Sequence, residues 1–392
     1  MKEIDTDVLI IGSGLVGLVA AHCLSSLKYK VVIVDRKNLN ESNSVKKDIR
    51  TVAVSEGSKQ FLESLSLWGV LKKYAEPIKM IKVFDRSPKN KILFTNNKSN
   101  QKLGYVIENS KFSKILIDRL SGIKNVEKLF GSNVKEIYFN KNFSKTNLIN
   151  KNIKSKLIIV ADGKNSNVRK MVGNKIYKKN YPENAIVINF FHERCLRNTA
   201  YEVFYKTGPL AILPMRSTNN FFQSSIIWSN KSNFIKKLIE CENNFIANYL
   251  EEKVGYVLGK VIKINSKQSF SLSAHINDSF INQRLVYVGD AAHSIHPIAG
   301  QGWNLGIKDI KNLNIICNKL KSKSSFGNVL FCKQYNELSY KNAFQLFQIT
   351  DKLNSGFKKT GILYRLLSNT GLSIIEKSPS LKSEITDYAM GI

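Results

Sequence analysis

The chain opens with an order of apolar and polar positions that reads strand, tight turn, helix, strand. Asp7–Ile11 is a β-branched run, Gly12–Gly17 a glycine-rich turn, Leu18–Leu27 a helical stretch and Lys30–Asp35 a second strand. The polar stretch Asn38–Lys47 follows as a loop. Leu103–Leu120 reads as a strand leading into an amphipathic helix, and Lys156–Val160 as another apolar strand. Between Tyr181 and Phe270 the pattern turns to short β segments: Ala185–Phe191, Tyr201–Tyr205, Leu210–Pro214 and Phe221–Trp228. One helical stretch, Phe234–Leu250, interrupts them. Leu285–Val288 is again a buried strand, and helical periodicity dominates from Asn304 onward. This order predicts an α/β fold: a nucleotide-binding domain with an inserted, mostly β second domain and a helical C-terminal segment. Residues 1–75, 101–175 and 275–310 are assigned to the first, 76–100 and 176–274 to the second, and 311–392 to the helical segment.

Three motifs carry the chemistry. In Gly12-Ser13-Gly14-Leu15-Val16-Gly17, the first glycine permits the turn and the second lets the backbone approach a pyrophosphate. The third lets the helix pack on the sheet, as in a Rossmann-type domain. Asp35, eighteen residues after Gly17 at the end of the next strand, suits an adenosine ribose and disfavours a 2′-phosphate. The second motif is Asp162-Gly163-Lys164-Asn165-Ser166-Asn167-Val168-Arg169, directly after a strand. It reads equally as a strand-to-helix turn in which Ser166 caps the helix. The third runs from Gly289-Asp290-Ala291-Ala292-His293 through His296-Pro297 and Gly300-Gln301-Gly302 to Asn304. A carboxylate at the end of a strand can bind ribitol hydroxyls. Gly300 and Gly302 let backbone amides approach a flat ring, and the helix near Asn304 points its positive end there. His293 and His296 have no neighbouring ligand set, so no metal is expected.

GSGLVG, ADGKNSNVR and GDAAHSIHPIAGQGWNLG, in this order and spacing, resemble the three fingerprints of the FAD-dependent aromatic hydroxylases. Within that superfamily the chain is most similar to the ubiquinone-biosynthesis hydroxylases. The narrower match rests on Asp48–Ser55, Leu67-Trp68, Leu103–Asn109, Gly208–Pro214 and His296–Gly302, and it extends to the closing Ala389-Met390-Gly391. The resemblance implies FAD as cofactor and O₂ as co-substrate, with a flavin hydroperoxide as the hydroxylating species. The reductant would be NAD(P)H or a ferredoxin-type donor, since only one full dinucleotide turn is visible. It implies that Gly12, Ser13, Gly14 and Gly17 hold the pyrophosphate, Asp35 the ribose and Asp290 the ribitol. Arg50 would lie near the pyrophosphate or flavin, and Asp162 and Gly163 near the pyrophosphate on its far side. Gly300, Gly302, Trp303 and Asn304 would meet the flavin ring, and the Pro297 carbonyl the phenolic part of the substrate. Asp35 departs from the more usual Glu, but either carboxylate can bind ribose. No charged general base stands out; His293 and His296 are the candidates for a proton relay, against a structural role. The competing readings are another FAD oxidoreductase on this fold, an epoxidase or prenyl reductase, and a non-catalytic flavin-binding subunit of a biosynthetic complex.

Composition narrows the partners. The hydrophobic fraction of 43% argues against disorder. The net charge of +30 suggests an anionic partner, but the basic residues are spread along the chain and only ten are Arg. AT-rich codon usage and an anionic membrane surface both account for it; nucleic acid does not fit. Runs such as Lys151–Lys156 then read as solvated surface. Five cysteines without a C-x-x-C pair exclude a disulfide framework and a zinc ribbon, and fit a reducing cytoplasm. Val8–Leu24 is preceded by Glu3, Asp5 and Asp7 and is interrupted by glycines, unlike a signal or membrane segment. The expected partner is a prenylated phenolic small molecule, met by peripheral contact with the inner face of the membrane. Aromatics from Phe190 to Phe357, with Lys352, Lys358, Lys359 and Arg365, are the candidates for its tail and for that contact.

Overall fold

The computed structural model describes residues 2–38, 48–85, 91–95, 102–218, 221–297, 300–320 and 322–357, with 378, 383–384, 386–387 and 390–391 of the tail. Residues 39–47 of the polar loop, Ile298, Ala299, Lys358, Lys359 and Arg365 therefore lie outside the described residues. The chain begins β1 (Lys2–Ile11), α1 (Leu15–Ser26), β2 (Val31–Asp35), β3 (Thr51–Ser55) and α2 (Glu56–Ser64). It continues through β4 (Glu76–Ile78), β5 (Met80–Asp85), β6 (Lys91–Thr95), β7 (Gly104–Glu108) and α3 (Asn109–Leu120). Next come β8 (Val126–Phe130), β9 (Val134–Phe139), β10 (Ser144–Leu148), β11 (Lys151–Val160) and α4 (Asn167–Val172).

The insertion comprises β12 (Ile176–His192), β13 (Thr199–Tyr205), β14 (Gly208–Thr218), β15 (Phe221–Lys231), α5 (Ser232–Glu240), α6 (Asn243–Leu258) and β16 (Val261–Asn277). The chain then returns through β17 (Ile281–Asn282), β18 (Leu285–Tyr287) and β19 (His293–Ser294), followed by the helices α7 (Gly302–Lys319) and α8 (Val329–Phe357). Two expectations change here. The run 151–156 belongs to β11: Ile153 and Ser155 are buried. Its lysines point outward and pair with Glu127, Asp5 and Asp7. The helical stretch 234–250 is two helices, broken at Cys241 and Glu242.

In the first sheet β18, β11, β1, β2 and β8 lie side by side and pair in parallel. Val8–Ile11 and Leu157–Val160 are buried throughout, as central parallel strands covered on both faces require. Gly12 sits at φ +107°, and a Cβ there would collide with the Ala161 carbonyl; one at Gly17 would collide with the Gly12 carbonyl. These two positions let α1 start against the sheet.

In the second sheet the order is β19-β16-β12-β15-β14-β13-β5-β6. Its outer face carries Ile186, Ile188, Phe190, Ile212, Ile226 and Trp228, packed under α5 and α6. Phe190 and Trp228 are therefore core and cannot line a path to the cofactor. The inner face turns to the first sheet: Asn189 Nδ2 donates to the Ile49 carbonyl at 2.7 Å, and Arg50 lies 5.5 Å over the Phe270 ring. A third sheet, β3-β7-β4, joins the two. Met390 packs with Ile78, Leu103, Val106, Ala200 and Met215. All five cysteines are free thiols. Among the described residues no helix is long and apolar enough to cross a membrane.

Leu250 is fully buried between α6 and the outer sheet face. Leu250→Ala should cost about 2–5 kcal/mol, the usual price of such a cavity. Chemical denaturation would read this as a lower midpoint at unchanged slope; an unmoved midpoint would contradict the packing.

Candidate functional site

The glycine turn ends in a place that can receive a phosphate. Gly14 is the N-cap of α1 and offers no side chain to its amides. A Cβ added at Gly14 would meet nothing within 4 Å, so open space faces the uncapped helix end. Beside the turn, Asp35 Oδ2 accepts from both the amide and the hydroxyl of Ser13 at 2.7 Å, and Oδ1 accepts from the Lys37 amide at 2.8 Å. Ser13 thus fixes the carboxylate beside the turn.

The second motif does two jobs at once. Ser166 caps α4 by accepting from the Arg169 amide at 3.0 Å, as the capping alternative requires. Asp162 Oδ2 accepts from the amides of Asn167 (2.9 Å) and Val168 (3.2 Å), while its Oδ1 is buried without a hydrogen-bond partner. Burial pushes the Asp162 carboxyl up, against the Ser166 hydroxyl and these two amides. Arg169 then ties this motif to the third. It donates to the Lys164 carbonyl (2.9 Å), the Ala291 carbonyl (3.1 Å) and His275 Nε2 (2.9 Å). Burial, followed by the charge of Arg169, holds His275 down at about 3, so its ring nitrogen accepts.

Asp290 is solvent-exposed yet stands in a recess. The surrounding protein desolvates it and raises its carboxyl, while His293, Arg50 and Lys164 pull it back. These cations bring the second and third motifs and the 48–50 segment to one place. Arg50 is aimed by a bidentate pair with Asp48, Nε to Oδ1 at 2.8 Å and Nη2 to Oδ2 at 2.7 Å. His293 is buried with Nε2 2.7 Å from Asp309 Oδ2, and the same oxygen accepts the Gly289 amide at 2.9 Å. Burial opposes the charge on His293, but the Asp309 carboxylate outweighs it and the imidazole is raised. One Asp309 oxygen thereby links His293 to the Gly289–Asp290 turn.

Asn304 ties the start of α7 to β3 and Gly300. Its Oδ1 accepts from the Ser55 amide at 2.9 Å, and its Nδ2 donates to Ala53 O (2.8 Å) and Gly300 O (3.3 Å). The Pro297 carbonyl accepts from the Gly300 amide at 3.1 Å, and Gly300 sits at φ +61°. A Cβ on Gly302 would meet only Ile295, at 3.9 Å. Trp303 packs on Phe112 with centroids 5.4 Å apart. His296 is buried and meets Tyr181 edge-on at 5.0 Å.

Four contributors escaped the sequence reading: Lys164, Arg169, Gly306 and Asp309. Lys164 and Arg169 lie inside a quoted motif, but nothing in their spacing says they face Asp290 and Ala291. A Cβ on Gly306 would lie 2.8 Å from Val16 Cγ2 and 3.1 Å from Gly289 Cα, so Val16 of α1 is clasped between two glycines. Asp309 gave no signal beyond being an acid on a lysine-bearing helix.

Asp309→Asn keeps an acceptor for the Gly289 amide but removes the charge facing His293. Dinucleotide affinity should fall about ten- to a hundredfold, roughly 1.4–2.8 kcal/mol, with the secondary structure kept. Cofactor titration followed by fluorescence tests this, and wild-type affinity would show that the His293–Asp309 pair does not hold the site.

The family model described as FAD binding domain matches residues 5–322. The ubiquinone hydroxylase UbiL of Rhodospirillum rubrum is 28% identical over 390 residues, covering 98% of this chain and 89% of that protein. The 3-demethoxyubiquinol 3-hydroxylase of Escherichia coli is 25% identical, with both chains covered in full. Among solved structures, PqsL of Pseudomonas aeruginosa, a probable FAD-dependent monooxygenase, superposes with a TM-score of 0.78. Its sequence identity is 15%, with 94% of this chain and 100% of that chain covered. The p-nitrophenol 4-monooxygenase PnpA of Pseudomonas putida gives a TM-score of 0.75 at 18% identity, over 100% and 98% of the two chains. Open space at Gly14, an acceptor at Asp35 and a recessed Asp290 fit the cofactor that this family takes. The chain belongs to the FAD binding domain family and is an FAD-dependent monooxygenase.

Proposed function

We propose that the protein hydroxylates the aromatic ring of a polyprenylated phenol in ubiquinone biosynthesis. The observation that carries this reading is the inner face of the second sheet lying over the recess at Asp290. Asn189 and Phe270 reach from that face to Ile49 and Arg50. One wall suits the cofactor, and the facing wall suits a flat ring. The relatives named as ubiquinone hydroxylases support the choice of substrate.

In this reading Gly12, Ser13, Gly14 and Gly17 hold the pyrophosphate from one side, and Asp162 and Gly163 from the other. Asp35 holds the ribose, and Asp290 the ribitol, with Arg50 and Lys164 nearby to balance charge. The amides near Gly302–Asn304 face the ring system, and the Pro297 carbonyl meets the phenolic region. When bound, reduced FAD with O₂ supplies an electrophilic oxygen atom, its electrons coming from NAD(P)H or a ferredoxin-type protein. The chain itself orients the phenol ring, excludes water and favours phenolate character, which makes the ring a better nucleophile. The isoprenoid tail leaves along the inner face of the second sheet, where Phe204 is buried and Phe191 half-buried. On α8, Leu338, Phe344, Ile349 and Leu353 are exposed, with Lys352 beside them. This face supports peripheral contact with an anionic membrane, and assembly with other enzymes of the pathway fits the same location.

Gly14→Val places a branched side chain in the open space before α1. The purified variant should lose its visible flavin absorbance while keeping its far-ultraviolet circular dichroism; full FAD occupancy would move the pyrophosphate elsewhere. A second measurement addresses the tail. Each buried CH₂ contributes about 0.8 kcal/mol, so kcat/KM for a prenylated phenol should exceed that of its tailless head group by more than tenfold. Equal values would remove the prenylated substrate and leave the monooxygenase standing.

A further inference from the structure

The inner face of the second sheet carries a carboxyl group that nothing above uses. Glu202 lies on β13, opposite Ala211 of β14 and Val83 of β5. Its neighbours Tyr201 and Tyr205 pack with the outer core under α5 and α6. Alternation along a strand therefore turns Glu202 to the opposite, inner face. That face continues across the sheet as Ala211, Ile227, Val187 and Gln268, each opposite the next. One row over, Leu213, Ser225 and Asn189 lead to the Ile49 carbonyl beside Arg50. Ala200 and Met215 on the same face cluster with Val106 of β7. β7 pairs with β3, the strand that Asn304 joins to Gly300. The wall bearing Glu202 is thus continuous with the wall over the proposed ring position.

Glu202 is half-buried and has no hydrogen-bond or salt-bridge partner among the described residues. β14 presents Ala211 and Leu213 around it, β5 presents Ile81 and Val83, and β6 presents Ile92 and Phe94. None of these titrates. Burial alone pushes the Glu202 carboxyl up to about 8. A carboxyl with a value near the working pH, set in an apolar wall, is suited to exchanging a proton with a bound hydroxyl. Two more buried polar atoms on this face, Asn189 Oδ1 and Ser225 Oγ, also have no hydrogen-bond partner.

We propose that Glu202 is a catalytic residue whose carboxylate accepts the hydroxyl proton of the phenol bound against this wall. The step breaks the phenol O–H bond, forms a neutral carboxylic acid on Glu202 and leaves the electron pair on the phenolate oxygen. No electron is transferred, and the acid returns its proton to solvent when product leaves. The proposal rests on the phenol-hydroxylase reading and adds the group that ionises the substrate.

The test uses the FAD-loaded full chain and a short-chain prenylated phenol that stays neutral in solution up to about pH 9. In the wild type, kcat and the affinity read from flavin absorbance changes should both rise with pH and level off above about 8. Glu202→Gln, which keeps shape and hydrogen bonding, should bind with a pH-independent Kd. It should lose at least tenfold in kcat at pH 8, while Glu202→Asp recovers part of the rate and the pH dependence. A Glu202→Gln variant with wild-type kcat and pH profile would overturn the role of Glu202 and leave the hydroxylase reading intact. A wild type that hydroxylates the phenol with no ionisation near pH 8 in either measurement would do the same without any variant. A wild type that neither binds nor hydroxylates phenols would overturn the hydroxylase reading, and this proposal with it.

Discussion

Val16 has almost no room, and much of the site depends on that. Its side chain enters between Gly289 and Gly306, where any Cβ would press on it. Gly12 and Gly17 impose a similar closeness between the turn, the end of β11 and α1. Interiors packed at crystal density transmit such constraints, so the start of α1, the Asp290 turn and α7 are located by contact. Their polar groups then need little further steering. The uncapped end of α1 faces open space at Gly14, and the Gly289 amide is taken up by Asp309.

Around this apolar clasp lies a second layer of polar connections between segments far apart in sequence. Arg169 joins the 162–169 segment to Ala291 and His275, and Asn304 joins α7 to β3. The His293–Asp309 pair lies in the interior, where an unpaired charge would be costly, so each partner keeps the other in place. The result is a recess in which Asp290 is open to solvent but crowded by protein. An acid that must bond to neutral hydroxyls is well served by such a setting, because nearby cations oppose the upward push of burial on its carboxyl.

The second sheet divides its labour by face. Outward-facing positions on β12, β14 and β15 form a dry core with α5 and α6. Inward-facing positions keep polar groups, Asn189, Ser225 and Glu202 among them, over the cofactor side. A cofactor domain alone would leave its reactive side in water; the sheet closes it. The tail end contributes as well, since Met390 fills the junction of the second and third sheets, and Gly391 abuts Gly57 at the start of α2.

Local patterns carried most of what was legible in the sequence. The β-branched run before Gly12 and the apolar run before Asp162 could only be buried strands, and the glycine spacing followed from a steric rule that acts within six residues. The same patterns read the lysine-rich start of β11 as surface, because Ile153 and Ser155 alternate inward only once β1 and β10 flank them. They merged two helices, since the break at Cys241 and Glu242 has no proline or glycine to mark it. Tertiary structure alone decided which side chains meet: Arg169 with Ala291, Asp309 with His293 and Gly289, Val16 with Gly306, and Glu202 with the inner face. A sequence states what each segment prefers to bury, through periodicity and side-chain size. Which distant groups then share a few ångströms depends on how those buried faces close on one another.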